Sequence, residues 1–198
     1  MKIAVLSDIH GNKMALEAVF NDIYQNKADH VIILGDLITD LPDETNCVLD
    51  LIKSSGSLVI KGNRELYLQN NHELLEYDQF LSTKLAVINL SEVNKHYIKS
   101  LPEQISLIFD SELSVRCTHG TPFKIDEHIN ENDNEAIVNC LSKINENILL
   151  CGHTHKQWYK RNIGKIVINP GSVGLNYSGD KTANYVIIKK NQTKFKLN

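Results

Sequence analysis

The stretch VLSDIHGNKMALEAV, from Val5 to Val19, decides how this chain begins to fold. An apolar run typical of a buried strand stops at Asp8, and His10 follows after one residue. Gly11 then precedes apolar residues at helical spacing. A carboxylate and an imidazole two residues apart at the end of a buried strand are typical of a metal-binding site. The stretch therefore predicts a strand, a turn that carries metal ligands, and a helix.

The composition is typical of a globular protein. Of the 198 residues, 42% are hydrophobic and 23% are charged, and the formal net charge is -3. A chain of this length folds as one domain and buries roughly 70% of the surface that its unfolded form exposes. Because lysines and arginines are scattered, with no basic block, we expect no stable nucleic-acid partner. The composition excludes neither an enzyme nor a binding protein.

No segment of the sequence indicates a membrane partner. No apolar run approaches the ~20 residues that a membrane span requires, and the first residues show a strand-like pattern without a basic leader. The cysteines at positions 47, 117, 140 and 151 have no CxxC spacing, which is typical of reduced cysteines that pack in a core. We therefore expect a cytoplasmic protein. The sequence does not indicate its oligomeric state.

The first third of the chain alternates between strand and helix patterns. Strands are predicted at Lys2–Asp8, His30–Asp36 and Ser57–Asn63, with helices over residues 12–27 and 43–55 between them. Two successive strand–helix–strand units predict a parallel sheet.

The remainder of the chain predicts further strands after a polar helical segment. Residues 65–101 form a helical cap-like insertion in this interpretation, and residues 104–110 and 113–120 form a hairpin. A helix over 135–144 and a strand over 147–155 follow, and the later segments alternate as antiparallel sheet does. We expect one α/β domain over residues 1–198, parallel at the front and antiparallel at the back.

Five apolar runs end in residues that bind metal ions. These residues are Asp8, His10, Asp36, Asn63, His119, His153 and His155. In open α/β sheets, ligands bind beyond the carboxyl ends of the strands, so we expect these side chains to meet. They are too many for one tetrahedral ion, and they suit two ions that share a bridging ligand. Asp36 is the candidate bridge, because a carboxylate has two oxygens and a charge that reduces the repulsion between cations.

The motifs SDIHGN, GDL, GNRE, THG and GHTH occur in that order and span most of the chain. Together they resemble the motifs of calcineurin-like metallophosphoesterases, in particular the small prokaryotic phosphodiesterases and phosphatases, which also carry a stretch like NPGSVG. The resemblance implies a four-layer α/β/β/α sandwich of two mixed sheets flanked by helices. It also implies hydrolysis of phosphomonoesters, phosphodiesters or phosphoanhydrides, with a hydroxide held by a metal pair as nucleophile.

The resemblance also implies how the ligands are shared. Asp8, His10, Asp36 and His155 would hold one ion, and Asp36, Asn63, His119 and His153 would hold the other. Sites of this kind accept manganese, iron, zinc, nickel or cobalt, and we expect manganese. We expect Asp36, Asn63 and Arg64 to act in catalysis, and Arg64 and His128 to bind substrate.

Arg64 departs from the family pattern. Many relatives carry a histidine there, which is thought to protonate the leaving oxygen. A guanidinium does not release a proton near neutral pH, so Arg64 is not an ordinary general acid. It can instead contact phosphate oxygens with two hydrogen bonds. We expect leaving groups that need little protonation, such as phenols or nucleotide phosphates, or else another proton donor.

Three other features allow more than one interpretation. Glu65 either starts the following helix, where negative charge is favourable, or takes part in the site, and we favour the first interpretation. His128 lies in a polar loop that can act as a lid over substrate. NPGSVG, from Asn169 to Gly174, is either a simple turn or a segment whose N–H groups cradle an anion or brace the metal ligands.

The sequence favours an enzyme that hydrolyses a small phosphorylated substrate, with nucleotides among the candidates. Phosphodiesterase and phosphatase activity both remain open. The alternative is a binding module of the same fold, like the retromer scaffold subunit that resembles this family but has lost metal ligands. A nuclease fits the same metal ions but needs a basic groove, which this composition does not indicate.

Overall fold

In a computed structural model of the chain, the opening apolar run forms strand β1 (Lys2–Leu6), at the centre of a five-stranded sheet. The structure describes residues 1–38, 44–67, 84–86, 88–177, 179, 181–190 and 196–197. Ile3 and Val5 pack on one face of the sheet, and Ala4 and Leu6 pack on the other. Because successive side chains of a strand point to opposite faces, a strand that is apolar at every position is covered on both sides.

The first sheet has the strand order β10-β9-β1-β2-β3. Strand β1 pairs in parallel with β2 (His30–Ile33), which pairs in parallel with β3 (Leu58–Val59). On its other side β1 pairs antiparallel with β9 (Val186–Lys189), and β9 pairs antiparallel with β10 (Lys196–Leu197). The sheet is therefore mixed, with its parallel part at the strands that begin the chain.

Helices α1 (Lys13–Gln25) and α2 (Thr45–Ser55) connect the parallel strands and cover the outer face of the first sheet. Leu16, Val19 and Ile23 of α1 recur at helical spacing and are buried against that face. The side chain of Asn12 caps α1 by accepting a hydrogen bond from the backbone N–H of Ala15 at 3.1 Å. Since Asn12 is the cap, Asp8 and His10 are not used for this purpose.

The second sheet has the order β4-β5-β6-β8-β7. Strands β4 (Ile105–Ile108) and β5 (Ser114–Cys117) form the predicted hairpin. Strand β6 (Ile148–Leu150) lies parallel to both β5 and β8 (Lys165–Pro170), and β7 (Gln157–Asn162) pairs antiparallel with β8. This sheet is also mixed.

The two sheets face each other, and helices cover their outer faces. Ile32 and Val186 of the first sheet pack with Leu150 and Ile168 of the second in one apolar cluster. Helix α5 (Asn134–Lys143) packs on the outer face of the second sheet. The resulting order of layers is helix, sheet, sheet, helix, which confirms the expected fold class of two mixed sheets flanked by helices.

The strand directions differ from the sequence-based expectation in one respect. The later part of the chain was expected to pair as antiparallel sheet, but β5, β6 and β8 are parallel to one another. Strand β9 is antiparallel to its neighbour β1, yet it lies in the first sheet and not with β7 and β8. The reason is connectivity: α5 links β5 to β6, and a helical crossover joins parallel strands. Periodicity along a strand does not reveal which sheet it joins.

The expected cap-like insertion over residues 65–101 lies partly outside the described residues, at 68–83 and 87. Within its described part, helix α3 (Asn63–Tyr67) runs into the segment and helix α4 (Glu92–Ser100) closes it. Ser91 caps α4 by accepting from the N–H of Asn94 at 3.2 Å. Among the residues described, no helix has the length and apolar character needed to span a bilayer.

The core between the sheets predicts the effect of truncating Ile32, which is fully buried there. Ile32→Ala should lower the free energy of unfolding by about 2–5 kcal/mol, because it removes buried methylene groups and leaves a cavity. Urea denaturation measures this loss. Met14→Ala is the control, since Met14 is 79% exposed on α1 and its truncation should cost less than about 0.5 kcal/mol. Equal losses would contradict the layer arrangement.

Candidate functional site

Seven polar side chains meet beyond the carboxyl ends of strands from both sheets. Asp8 and His10 follow β1, Asp36 follows β2, and Asn63 lies at the start of α3. From the second sheet, His119 follows β5, while His153 and His155 follow β6. These are the residues that the sequence predicts to converge, and the structure brings them all together.

Asp8, His10 and His155 form the first of two groups able to hold a metal ion. Oδ1 of Asp8 lies 3.4 Å from Nε2 of His155 and 4.0 Å from Nε2 of His10. The two imidazole Nε2 atoms are themselves 3.1 Å apart. All three residues are buried.

Asp36, His119 and His153 form the second group. Oδ1 of Asp36 lies 3.5 Å from Nε2 of His119. Oδ1 of Asn63 lies 2.9 Å from the same nitrogen, so the amide joins this group. His119 and His153 lie with their ring centroids 5.1 Å apart.

Asp36 lies between the two groups. Its Oδ1 faces His119 of the second group, while its Oδ2 lies 3.8 Å from Nε2 of His10 in the first group. The two oxygens of one carboxylate are therefore directed toward different sets of imidazoles. This is the geometry that a bridging carboxylate requires.

Backbone carbonyls determine which nitrogen of each imidazole carries a proton. His119 Nδ1 lies 2.7 Å from the carbonyl of Leu34, and His155 Nδ1 lies 2.6 Å from that of Leu175. A carbonyl only accepts, so these nitrogens are the donors and leave the Nε2 lone pairs facing the carboxylates. His153 has the opposite tautomer, because its Nε2 donates to the carbonyl of Asp126 at 3.1 Å.

The converging groups are mostly acceptors. The lone pair on Nε2 of His119 faces oxygens of Asn63 and Asp36, and within the described part of the chain Oδ1 of Asp8 makes no hydrogen bond. Acceptors that face one another in a buried site repel unless a cation lies among them. The residues present therefore fit divalent metal ions bound by nitrogen and oxygen.

The pKa values of these groups also indicate that the site favours positive charge. Burial raises the pKa of Asp8 and Asp36, but the neighbouring imidazoles outweigh burial and hold both pKa values below the ordinary range. Burial by itself lowers the pKa of His119, yet the carboxylates of Asp36 and Asp8 raise it to about 9. The pocket attracts a cation, and either a proton or a metal ion satisfies it.

The backbone at the site is held in an uncommon conformation. Five of the converging residues have positive φ: Asp8, His10, Asp36, His153 and His155, with φ between 49° and 67°. L-residues visit this left-handed region rarely, at a cost of about 1 kcal/mol or more each. Strain concentrated at one cluster of polar residues is typical of a functional site.

Two glycines allow the loops after β2 and β3 to touch. A Cβ on Gly35 would lie 2.2 Å from the backbone nitrogen of Gly62, and a Cβ on Gly62 would lie 2.1 Å from Oδ1 of Asp36. Any side chain at either position would separate these loops. The close approach brings the N–H of Arg64 to within 2.9 Å of Oδ1 of Asp36, to which it donates.

The carboxylate of Glu65 links the same two loops by hydrogen bonds. Its Oε2 accepts from the N–H of Asp36 at 2.9 Å and of Gly62 at 2.8 Å, and its Oε1 accepts from the N–H of Leu37 at 2.9 Å. Burial, and then the charge of Asp36, raise the pKa of this carboxyl to about 7. The sequence interpretation favoured a helix-starting residue, and Glu65 does lie in the first turn of α3, but it is fully buried. No sequence signal distinguishes the two roles.

The NPGSVG segment braces the ligand loops, and the N–H groups of Gly171, Val173 and Gly174 donate to acceptors within the protein. Ser172 donates its hydroxyl to the carbonyl of Asp8 at 2.7 Å, and the N–H of Gly174 donates to the same carbonyl at 3.0 Å. The side chain of Asn169 donates to the carbonyl of Gly152 at 2.7 Å. Of the alternatives that the sequence left open, the structure therefore supports the brace.

Arg64 lies beside Asp36 with a largely buried guanidinium. Its Nε is 3.9 Å from Oδ2 of Asp36, and the residue is 9% exposed. Among the residues that the structure describes, its Nη1 has no hydrogen-bond partner. A buried guanidinium with an unused donor at a cluster of this kind is suited to bind an anion.

Two further rings flank the cluster. The exposed ring of His128 packs on His153, with centroids 4.3 Å apart. Tyr177 stacks on His155, with centroids 4.5 Å apart and an angle of 13° between the ring planes. The contact between Tyr177 and His155 was not predicted from the sequence.

Comparison with known proteins gives a consistent result over the whole chain. The model of the calcineurin-like phosphoesterase superfamily domain matches residues 1–193. An uncharacterized protein of Methanocaldococcus jannaschii is 25% identical over 215 residues, which cover 98% of this chain and 85% of that protein.

Solved structures share the fold. A metallophosphoesterase from Sphaerobacter thermophilus has a TM-score of 0.78 at 24% identity, over 96% of this chain and 84% of that chain. A hypothetical protein from Pyrococcus horikoshii has a TM-score of 0.87 at 19% identity, over 100% and 86%. Vps29 of Entamoeba histolytica, in a complex with zinc, has a TM-score of 0.55 at 17% identity, over 98% and 89%.

The bonds of Glu65 predict a large effect on stability. Glu65→Ala should lower the free energy of unfolding by at least about 2 kcal/mol, because it leaves three buried N–H donors without their acceptor. Urea denaturation of the metal-free protein measures this change. The matched control is Glu17→Ala on the surface of α1, which should cost less than about 0.5 kcal/mol. If both variants unfold alike, Glu65 does not anchor the loops.

Proposed function

Because this chain belongs to the calcineurin-like phosphoesterase superfamily, we propose that it is a hydrolase of phosphoric esters whose centre holds two divalent metal ions. The substrate is a small phosphorylated molecule, with nucleotides included. The observation that carries the proposal is the position of Asp36, whose two oxygens face imidazoles of two different groups. A single metal site would not need this arrangement.

The proposed ligand sets follow the two groups. One ion is held by Asp8, His10, Asp36 and His155, and the other by Asp36, Asn63, His119 and His153. Support for the first set is the Oδ1 atom of Asp8, buried and close to two Nε2 atoms. Support for the second is the Oδ1 atom of Asn63 at 2.9 Å from Nε2 of His119.

The donor set suits several metals. Imidazole nitrogen with carboxylate and amide oxygen is compatible with manganese, iron, zinc, nickel and cobalt, and we propose manganese as the resident ion. When bound, two such cations lower the pKa of a water molecule and offset the charge on the phosphate oxygens. The chain itself contributes the fixed orientation of the ligands, through the carbonyls of Leu34, Leu175 and Asp126.

Arg64 is proposed to bind the phosphate of the substrate. Its guanidinium is buried beside Asp36, and its Nη1 has no hydrogen-bond partner among the described residues. A planar guanidinium forms two parallel hydrogen bonds with phosphate and stabilises charge that develops in the transition state. Because Arg64 cannot donate its proton near neutral pH, substrates with good leaving groups should be favoured.

His128 is proposed to contact the substrate from the loop that follows β5. Its ring lies on His153 and is exposed, so it is near the second ligand set without belonging to it. Phosphomonoesterase and phosphodiesterase activity are both compatible with this arrangement. A net charge of -3 gives no support to a nuclease that binds long nucleic acids.

A non-catalytic binding module of the same fold is the second candidate. Arg64 favours it, since this position lacks a group that can donate a proton, and Vps29 shares the fold. Measurements of bound metal and of turnover distinguish the two candidate functions. Purified protein without bound metal, and without turnover of 4-nitrophenyl phosphate, its bis-ester or nucleoside polyphosphates in the presence of manganese, would favour the binding module.

The bridging role of Asp36 predicts a combined loss of metal and activity. Asp36→Asn should lower the bound metal from about two equivalents to about one or fewer, and it should lower kcat/KM by ~100-fold or more. Elemental analysis and the same hydrolysis assays measure both quantities. Asp50→Asn on the surface of α2 is the control and should retain metal and activity. Normal metal content and hydrolysis in Asp36→Asn would refute the bridge.

The role of Arg64 predicts weaker use of substrate with intact metal binding. Arg64→Ala should lower kcat/KM by about 10- to 100-fold, the value of a charge-assisted hydrogen bond, and should raise the inhibition constant of inorganic phosphate. Arg64→Lys should recover part of the loss, because it restores charge but not the planar pair of donors. Arg161→Ala, at an exposed position of β7, is the control. Unchanged turnover and phosphate affinity in Arg64→Ala would remove this residue from the mechanism.

A further inference from the structure

Tyr177 has a position that the metal site does not explain. Its ring stacks nearly parallel on the ring of His155, yet 63% of the residue remains exposed. Large aromatic side chains normally bury most of their area in a core or an interface. This one instead covers a buried polar imidazole and leaves most of its own surface to solvent.

The segment that carries Tyr177 is fixed to the same imidazole by a second contact. Nδ1 of His155 donates to the carbonyl of Leu175, two residues before Tyr177, at 2.6 Å. The N–H of Leu175 in turn donates to the hydroxyl of Ser172 at 2.8 Å. The ring of Tyr177 is therefore attached to a braced loop, and its direction relative to the site is defined by the structure.

One imidazole separates Tyr177 from the Asp8 carboxylate. Nε2 of His155 is 3.4 Å from Oδ1 of Asp8, and Tyr177 stacks on a face of the same imidazole ring. His128 has the equivalent place over His153 at the second group, although its ring is tilted by 36°. Each group is thus flanked by an exposed ring on its own histidine, and Tyr177 is the one with near-parallel stacking.

From this arrangement we propose that Tyr177 is a substrate-positioning residue that stacks on a planar aromatic group carried by the phosphoester. The substrate class is then an ester of phosphate with an aryl group or a nucleoside, and simple alkyl phosphates are poorer ligands. The inference rests on the proposed function, because it requires that the phosphate binds at the neighbouring ligand groups. The inference concerns the organic group of the substrate, which the metal ligands do not recognise.

The physical basis is the stacking of two flat surfaces. A phenol ring that already stacks on His155 loses little conformational freedom when a second ring binds its exposed surface. The loss of conformational entropy on binding is therefore small. Aromatic pairs contribute about three- to tenfold in binding beyond the area that they bury. Such a preference is modest, and it is measurable when two ligands differ only in the ring.

Two non-hydrolysable anions test the proposal without turnover. Phenylphosphonate and methylphosphonate carry the same anionic group, and only the first has a ring. Isothermal titration calorimetry on manganese-loaded protein should show tighter binding of phenylphosphonate to the wild type. In Tyr177→Ala this preference should fall by about three- to tenfold, while the affinity for methylphosphonate stays the same.

Two further variants separate stacking from a structural role. Tyr177→Phe keeps the ring and should keep the preference for phenylphosphonate. Tyr24→Ala removes a tyrosine that is 85% exposed on α1 and should change neither affinity. Elemental analysis of each variant should give the same metal content as the wild type, which shows that His155 is still in place.

The results that would overturn the inference are distinct from those that would overturn the proposed function. If the wild type binds both phosphonates equally, or if Tyr177→Ala keeps the preference, the stacking role is wrong and the proposed function stands. If Tyr177→Ala loses metal and both affinities together, Tyr177 only supports His155, and the stacking role is also wrong. If the wild type binds neither anion and hydrolyses no ester, the proposed function fails and the inference fails with it.

Discussion

Two buried carboxylates, Asp8 and Asp36, impose the constraint on which the rest of the site depends. They follow neighbouring parallel strands, so the sheet itself places them side by side away from water. A buried charge is costly unless opposite charge or hydrogen-bond donors surround it. Imidazoles from the second sheet, and the cations that we propose, meet this need. The two sheets therefore have to face each other for the site to exist. The apolar core between them keeps the sheets at a fixed separation.

The strain at the strand ends is balanced by bonds that reach across the structure. Positive φ at Asp8 and Asp36 directs their carboxylates into the cluster. Glu65 holds the loop of Asp36, and Ser172 and Gly174 hold the carbonyl of Asp8. These contacts come from segments far apart along the chain. These bonds hold the ligands in place, and preorganised ligands lose less conformational entropy when an ion binds.

The proposed chemistry divides between a shared centre and residues that distinguish this chain. In the proposed function, the seven-residue cluster supplies the environment for a phosphate, which is consistent with the family model that matches residues 1–193. Arg64 stands where the family resemblance implies a histidine, and a guanidinium is suited to bind an anion but is not an ordinary general acid. Tyr177 and His128 lie on the outer rings of the cluster. In our proposals these three side chains contact the substrate and do not bind the metal ions, so substitutions at these positions test specificity.

By itself the sequence determined the class of fold and the residues of the cluster. Apolar runs that end in Asp8, Asp36 and His119 have a local pattern, and the ends of parallel strands meet at one edge of a sheet. Only the tertiary structure decided the rest: that β9 returns beside β1, that Glu65 is a buried anchor, and that Tyr177 lies on His155. The physical reason is how far apart in sequence the contacting residues lie. Periodicity and motif spacing record contacts between near neighbours in sequence, whereas burial and stacking depend on segments up to 164 residues apart, as in the bond from Ser172 to Asp8.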